Sequence, residues 1–158
     1  MQERYEKFLK HMKEKGKVTL MINLIEYKNR QEIINLLAEC MYPDEERVKR
    51  VYEQYNNDES RILFGKIKNN QLVGIIGIIW LSKCEVELKH ISVKSSNRRQ
   101  GLGKEMINEF IEENHIKRVE VETDKNAVDF YKKIGFNVTS LGEKYPGVER
   151  FKCIKDCC

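Results

Sequence analysis

Arg98-Arg99-Gln100-Gly101-Leu102-Gly103 stands between a strand-like run, residues 86–93, and a helix-like run, residues 102–113. Two glycines at such a junction let the backbone come close to a ligand. The unpaired N–H groups of a helix start, at the positive end of its dipole, suit a phosphate. Arginine grips phosphate oxygens in fork geometry, which makes Arg98 and Arg99 candidate ligands. Gln100 and Leu102 belong to the same turn, and Lys104 reaches the same spot from inside the helix. The segment reads as a pyrophosphate cradle. It is not the dinucleotide fingerprint, because Met106 stands where the third glycine belongs, and it is not a P-loop, because no Gly-Lys-Ser/Thr follows.

Outward from the cradle, apolar periodicity predicts a strand over 17–27, with a helix over 30–40 after an Asn29 cap. A second helix is expected over 44–55. Strands over 61–68 and 72–81 are joined by the Asn69-Asn70 turn signal. A third strand, 84–93, leads into the glycine segment and the helix over 102–114. A valine-rich strand over 117–123 follows. Asp124 reads as the cap of a helix ending near 134, where Gly135 suits the C-terminus. Strands over 136–141 and 149–154, joined by a loop over 142–147, complete the order β-α-α-β-β-β-α-β-α-β-β. That order predicts an α/β (α+β mixed) fold, a central mixed, mostly antiparallel sheet of about seven strands with flanking helices. The crossover through the glycine helix is expected to be right-handed and parallel. Residues 1–16 read as an N-terminal helical extension, with Tyr5, Phe8, Leu9 and Met12 on one side, and 17–158 as a single domain.

The chain has 158 residues, 34% of them charged and 41% hydrophobic, as in a soluble domain with its own core. A net charge of +4 favours an anionic ligand, but the basic residues are interspersed with acidic ones and form no nucleic-acid stripe. No nucleic-acid or membrane partner is expected. The charged N-terminus lacks a signal core, and the expected location is the cytoplasm. Five cysteines (Cys40, Cys84, Cys153, Cys157 and Cys158) have no spacing that suggests disulfides or a metal site, and no metal is expected.

Around this cradle the chain resembles the GNAT superfamily of acyl-CoA-dependent N-acetyltransferases. Arg98, Gly101 and Gly103 match its Arg/Gln-x-x-Gly-x-Gly/Ala signature. Ile91-Ser92-Val93 match the strand whose backbone runs beside the pantetheine arm. Ala127, Phe130, Tyr131, Gly135 and Phe136 match its Ala-x-x-Phe-Tyr-x-x-x-Gly-Phe signature. The resemblance covers residues 61–154, and the N-terminal part by element order. The chain departs from many members at Asp124, where they carry Asn, and at Ser95, where they carry Pro. The resemblance implies a GNAT-like fold and direct transfer of the acetyl group of acetyl-CoA to a primary amine, with Asp124 and Asn126 joining the cofactor-binding set.

In that chemistry an amine loses its proton, N–H donors stabilise an oxyanion, and the departing thiolate takes a proton. The resemblance offers the backbone N–H of Val93 as oxyanion donor and Tyr131 as acid. From periodicity alone Tyr131 reads as a core aromatic beside Ala127 and Ile134, and the match to the signature reverses that preference. Glu87 is the candidate base. It also fits a solvated stripe with Glu85 and Lys89. Glu120 and Glu122 are reserves. His90 alternates with Leu88, which suggests the packed face. The 39–46 stretch falls where the resemblance places an acceptor pocket, and its Tyr42, Asp44, Glu45 and Glu46 would suit a cationic amine. Tyr145 is expected to line the same pocket, although Asp44, Glu45 and Glu46 read more readily as an ordinary acidic helix start. A catalytically silent acyl-CoA sensor or scaffold is the alternative function, and a homodimer is a further expectation.

Overall fold

Seven strands form one sheet in the order β1-β2-β3-β4-β5-β7-β6, and four helices cover its faces among the described residues. The computed structural model describes Glu3, Lys7, residues 19–42 and residues 44–157. The N-terminal helical extension and Cys158 lie outside the described residues, apart from Glu3 and Lys7. The strands are β1 Thr19–Asn23, β2 Arg61–Lys68, β3 Gln71–Trp80, β4 Glu85–Val93, β5 Arg118–Asp124, β6 Asn137–Tyr145 and β7 Val148–Asp156. The helices are α1 Arg30–Glu39, α2 Glu45–Asn57, α3 Leu102–Asn114 and α4 Val128–Lys133.

Local chemistry explains most boundaries. Asn29 accepts the Glu32 N–H at 3.2 Å and starts α1, while Asp44 accepts the N–H groups of Glu46 and Arg47 and starts α2. Asn69 and Asn70 both have positive φ, as a two-residue hairpin turn requires, and they join β2 to β3. The first strand stops earlier than its apolar run. Ile25 N–H bonds the Asn23 side chain at 2.9 Å and Tyr27 N–H returns to Leu24 O at 3.0 Å, so the chain turns by residue 25. The loop expected over 142–147 is mostly strand, because β6 runs to Tyr145 and pairs with Val148 across a tight turn.

Nearly all of β3 is buried, as its unbroken apolar run requires of a central strand. On one face Val86, Leu88, Met106, Phe110, Tyr131 and Phe136 pack beneath α3 and α4. On the other, Ile33, Leu37, Val48, Leu63 and Ile75 pack beneath α1 and α2. Lys66 of β2 is 1% exposed and bonds Glu105 at 3.2 Å and also Glu109 of α3. One buried ammonium thus fixes the helix whose first turn carries the glycine segment.

Two irregularities in β4 set the site. Its parallel pairing with β5 covers only Glu85 to Glu87, so the two strands part after Glu87. Its pairing with β3 slips between Gly77 and Ile78, which leaves Lys89 as an extra residue. A bulge reverses the alternation. Leu88 therefore shares its face with Ile91 and Val93, whereas His90 joins Glu87 on the side of α2. The expected packing of His90 beside Leu88 is corrected by that extra residue.

Candidate functional site

The glycine segment closes a cavity of about 420 Å³ lined by Ile91, Ser92, Val93, Asn97, Arg98, Arg99, Gly101, Leu102, Gly103, Lys104 and Phe130. Gly101 has φ +75° and a Cβ there would meet nothing within 4 Å, so it faces open space. The first helical bond of α3 runs from Glu105 N–H to Gly101 O at 3.0 Å. The N–H groups of Leu102, Gly103 and Lys104 are therefore left without helical acceptors at a dipole's positive end, and no side chain among the described residues caps them. A Cβ on Gly103 would lie 3.1 Å from the Phe130 ring, which fixes how closely α3 approaches α4.

The strand wall contributes more donors. Lys94 N–H bonds Val73 O at 2.7 Å, so alternation turns the N–H groups of Val93 and Ile91 toward the gap left by β5. Arg98 is committed elsewhere. Its Nε donates to Val93 O at 2.9 Å and its Nη2 to Glu39 at the end of α1, also at 2.9 Å. Arg98 thus lines the cavity as a brace between β4 and α1, while Arg99 and Lys104 have no ion pair among the described residues. Gln100 accepts from Lys68 at 3.3 Å.

Asp124 and Asn126 do not line this cavity. Asp124 accepts the N–H groups of Asn126 and Ala127 at 2.9 and 3.2 Å. That side-chain turn delays the helix, so α4 starts at Val128 with Ala127 as its cap rather than Asp124.

Where this cavity ends along β4, a second begins. It measures about 490 Å³ and is lined by Cys40, Met41, Tyr42, Arg47, Glu87, Leu88, Lys89, His90, Glu122, Lys144 and Arg150. His90 Nδ1 and Tyr55 Oη share a hydrogen bond at 2.6 Å. Burial, helped by Lys89, Arg61 and Arg47, lowers the imidazole to about 4, and burial holds the Tyr55 phenol well above its ordinary range. His90 is thus neutral at physiological pH, with one ring nitrogen already engaged by Tyr55. Gly77 makes room for this pair, since a Cβ there would strike the Tyr55 hydroxyl. The Cys40 residue is exposed, but its thiol turns in against Leu37 O and the Ile91 N–H, and burial of that thiol raises its pKa to about 11. It is therefore a poor nucleophile.

Glu87 stands at the point where β4 and β5 part, 3.8 Å from Lys89. Tyr131 is 4% exposed and lies against Phe130 and Phe136 with ring centroids 5.0 and 5.3 Å away. Burial raises its phenol well above the usual range. Its hydroxyl has no hydrogen-bond partner among the described residues, yet it is not sealed from solvent. The Cys40 thiol is close enough to the Tyr131 and Tyr55 hydroxyls to raise both, and Tyr55 also feels Glu87. No hydrogen bond joins Glu87 to Tyr131.

Of the reserves, Glu120 is paired with Arg118 and Lys152, and Glu122 with Lys144 and Arg150. Asp44 is used as a cap and Glu45 pairs with Lys49, so the ordinary reading of that acidic start holds for both. Tyr42 lines the second cavity, while Tyr145 is 68% exposed on β6. Among the described residues no group of three potential ligands forms a metal site, and no helix is long and apolar enough to cross a membrane.

A family model described as an acetyltransferase (GNAT) domain matches residues 24–151. The chain belongs to the GNAT acetyltransferase family. An uncharacterized N-acetyltransferase of Bacillus methanolicus is 37% identical over 87 residues, which cover 53% of this chain and 72% of that one. The fold agrees with a GNAT acetyltransferase of Elizabethkingia anophelis solved with acetyl-CoA bound, at a TM-score of 0.67, 17% identity and 89% and 99% coverage. It also agrees with the dodecameric spermidine N-acetyltransferase of Vibrio cholerae, at 0.69, 15%, and 88% and 94%. The family uses acetyl-CoA as acyl donor, and the open N–H cradle of this chain fits the donor's pyrophosphate.

Proposed function

We propose that this GNAT protein transfers the acetyl group of acetyl-CoA directly to a primary amine. The observation that carries the reading is the placement of two cavities end to end along β4, an N–H-lined cradle over residues 91–104 and a polar chamber around Glu87. The donor supplies an activated thioester. The N–H groups of Leu102, Gly103 and Lys104, with Arg99 and Lys104 side chains, hold its pyrophosphate. The strand wall from Val93 back to Ile91, with the outward Val93 N–H as a donor, lines the path of its arm toward Glu87.

Glu87 accepts the proton that the amine gives up, directly or through water. The amine nitrogen bonds the acyl carbon, the carbon–sulfur bond breaks, and sulfur keeps the electron pair. Tyr131 gives that sulfur a proton. Its raised pKa keeps the phenol protonated until then, and its unpartnered hydroxyl is free to donate. No protein nucleophile takes part, in keeping with the buried, weakly acidic Cys40 thiol.

Release of free CoA thiol from acetyl-CoA with a broad panel of amines tests this reading. Acceptor-dependent release supports it. Binding of acetyl-CoA without release above background would favour the silent sensor instead. Three further parts of the proposal are a single domain over 17–158, a cytoplasmic location and a homodimer. The dimer draws on apolar Leu141, Tyr145 and Val148, exposed on and beside the edge strand β6.

A further inference from the structure

The chamber around Glu87 carries charge that its acceptor has to match. Among the described residues Arg47, Lys89, Lys144 and Arg150 stand against two carboxylates, Glu87 and Glu122, which leaves a surplus of two positive charges. Glu122 is held by Lys144 at 2.9 Å and by Arg150 at 3.4 Å, and the Lys144 bond holds its carboxyl below the ordinary range. Glu87 faces Lys89. The Arg47 guanidinium has no carboxylate partner among the described residues, yet it is near enough to help depress His90. Arg47 and Tyr42 come from the α1–α2 side of the chamber, and Lys144 and Arg150 from β6 and β7 on the other.

We propose that the acceptor is an amine that also carries an anionic group, a carboxylate or a phosphate. The proposal rests on the acetyl-transfer reading above and narrows it. The amine lies toward Glu87, at the end of the chamber next to Ile91, where the donor cavity begins. The anionic group takes the planar fork of Arg47, which suits both carboxylate and phosphate oxygens. The cations around Glu122 deepen the same positive field. A polyamine brings further positive charge into a chamber already in surplus, where like charges repel.

Three probe sets at saturating acetyl-CoA test this by the kcat/KM of thiol release. α-Amino acids are compared with their C-terminal amides, aminoalkyl phosphates with the corresponding amino alcohols, and both with a polyamine. The anionic member of a pair should be at least tenfold better, and the two pairs separate carboxylate from phosphate. In Arg47→Gln, with its unchanged melting temperature as the check on folding, KM should rise tenfold or more for the anionic amine, with kcat and the neutral amine's KM unmoved. Preference for a neutral amine or the polyamine, or an equal effect of Arg47→Gln on both members, would overturn the proposal. Acetyl-CoA binding with no thiol release from any probe would instead refute the acetyl-transfer reading, and this inference with it.

Discussion

Replacing Gly101 by glutamate separates two effects that the structure keeps distinct. Gly101 has φ +75°, where a residue with a Cβ costs roughly 1–2 kcal/mol. For a chain of this length about 2–4 °C of melting temperature is lost per kcal/mol, so the unliganded variant should melt about 2–8 °C lower. The new side chain meets nothing within 4 Å in the free protein, and the fold should survive. The same open space is where the pyrophosphate is proposed to lie, and there the carboxylate brings both bulk and like charge. In the parent protein, acetyl-CoA at a hundred times its Kd should add about 2.7 kcal/mol. Thermal melting with and without acetyl-CoA reads both effects at once. Gly142→Glu is the control, because Gly142 has φ +76°, is equally open and lies on β6 outside the cradle. Both variants should lose similar intrinsic stability, but only Gly101→Glu should lose the acetyl-CoA shift. A full shift in Gly101→Glu, or an equal loss in Gly142→Glu, would refute the cradle.

Tyr131→Phe should lower kcat by about 10²-fold or more while acetyl-CoA affinity stays nearly constant, and Glu87→Gln should do the same. An unchanged rate returns Tyr131 to a core aromatic and Glu87 to an ion-pair partner of Lys89. Removing both partners of Lys66, in Glu105→Gln with Glu109→Gln, leaves a sealed ammonium unpaired and should cost about 3–5 kcal/mol by denaturant unfolding. Lys66→Met should cost less, since both carboxylates are partly exposed. His90 titrates near 4 in the fold against 6.5 in the unfolded chain. Between those values the unfolded state binds the extra proton, so stability should fall by ~3 kcal/mol in all as pH drops through that window, with no change from His90 above about pH 7. Unfolding curves of His90→Gln should lack that component.

Much of the fold was legible because local signals agreed with tertiary packing. The limits of β2 and α3 were as expected, and the Asn69-Asn70 turn and the Asn29 cap made their expected contacts. The cradle was readable because two glycines at a strand–helix junction imply an open backbone whatever surrounds them. The chamber was far less so. One unpaired residue at Lys89 moved His90 to the side of Glu87, and no periodicity marks where a strand gains a residue. The cations Arg47, Lys144 and Arg150 come from α2, β6 and β7, so no spacing links them. Arg98 read as a phosphate ligand; it lines the cradle, and no local signal marks that its Nη2 also bonds the distant Glu39. Asp124 spends its side chain on a turn over residues 124–127 that ends at the cap of α4.

A crystal structure with acetyl-CoA tests the central claim most directly. The account predicts pyrophosphate oxygens within about 2.7–3.2 Å of the N–H groups at the start of α3. The arm should run along Ile91 to Val93, with the thioester at the end of the chamber that holds Glu87. Acetyl-CoA bound elsewhere, or bound with its thioester turned away from Tyr131 and Glu87, would contradict it.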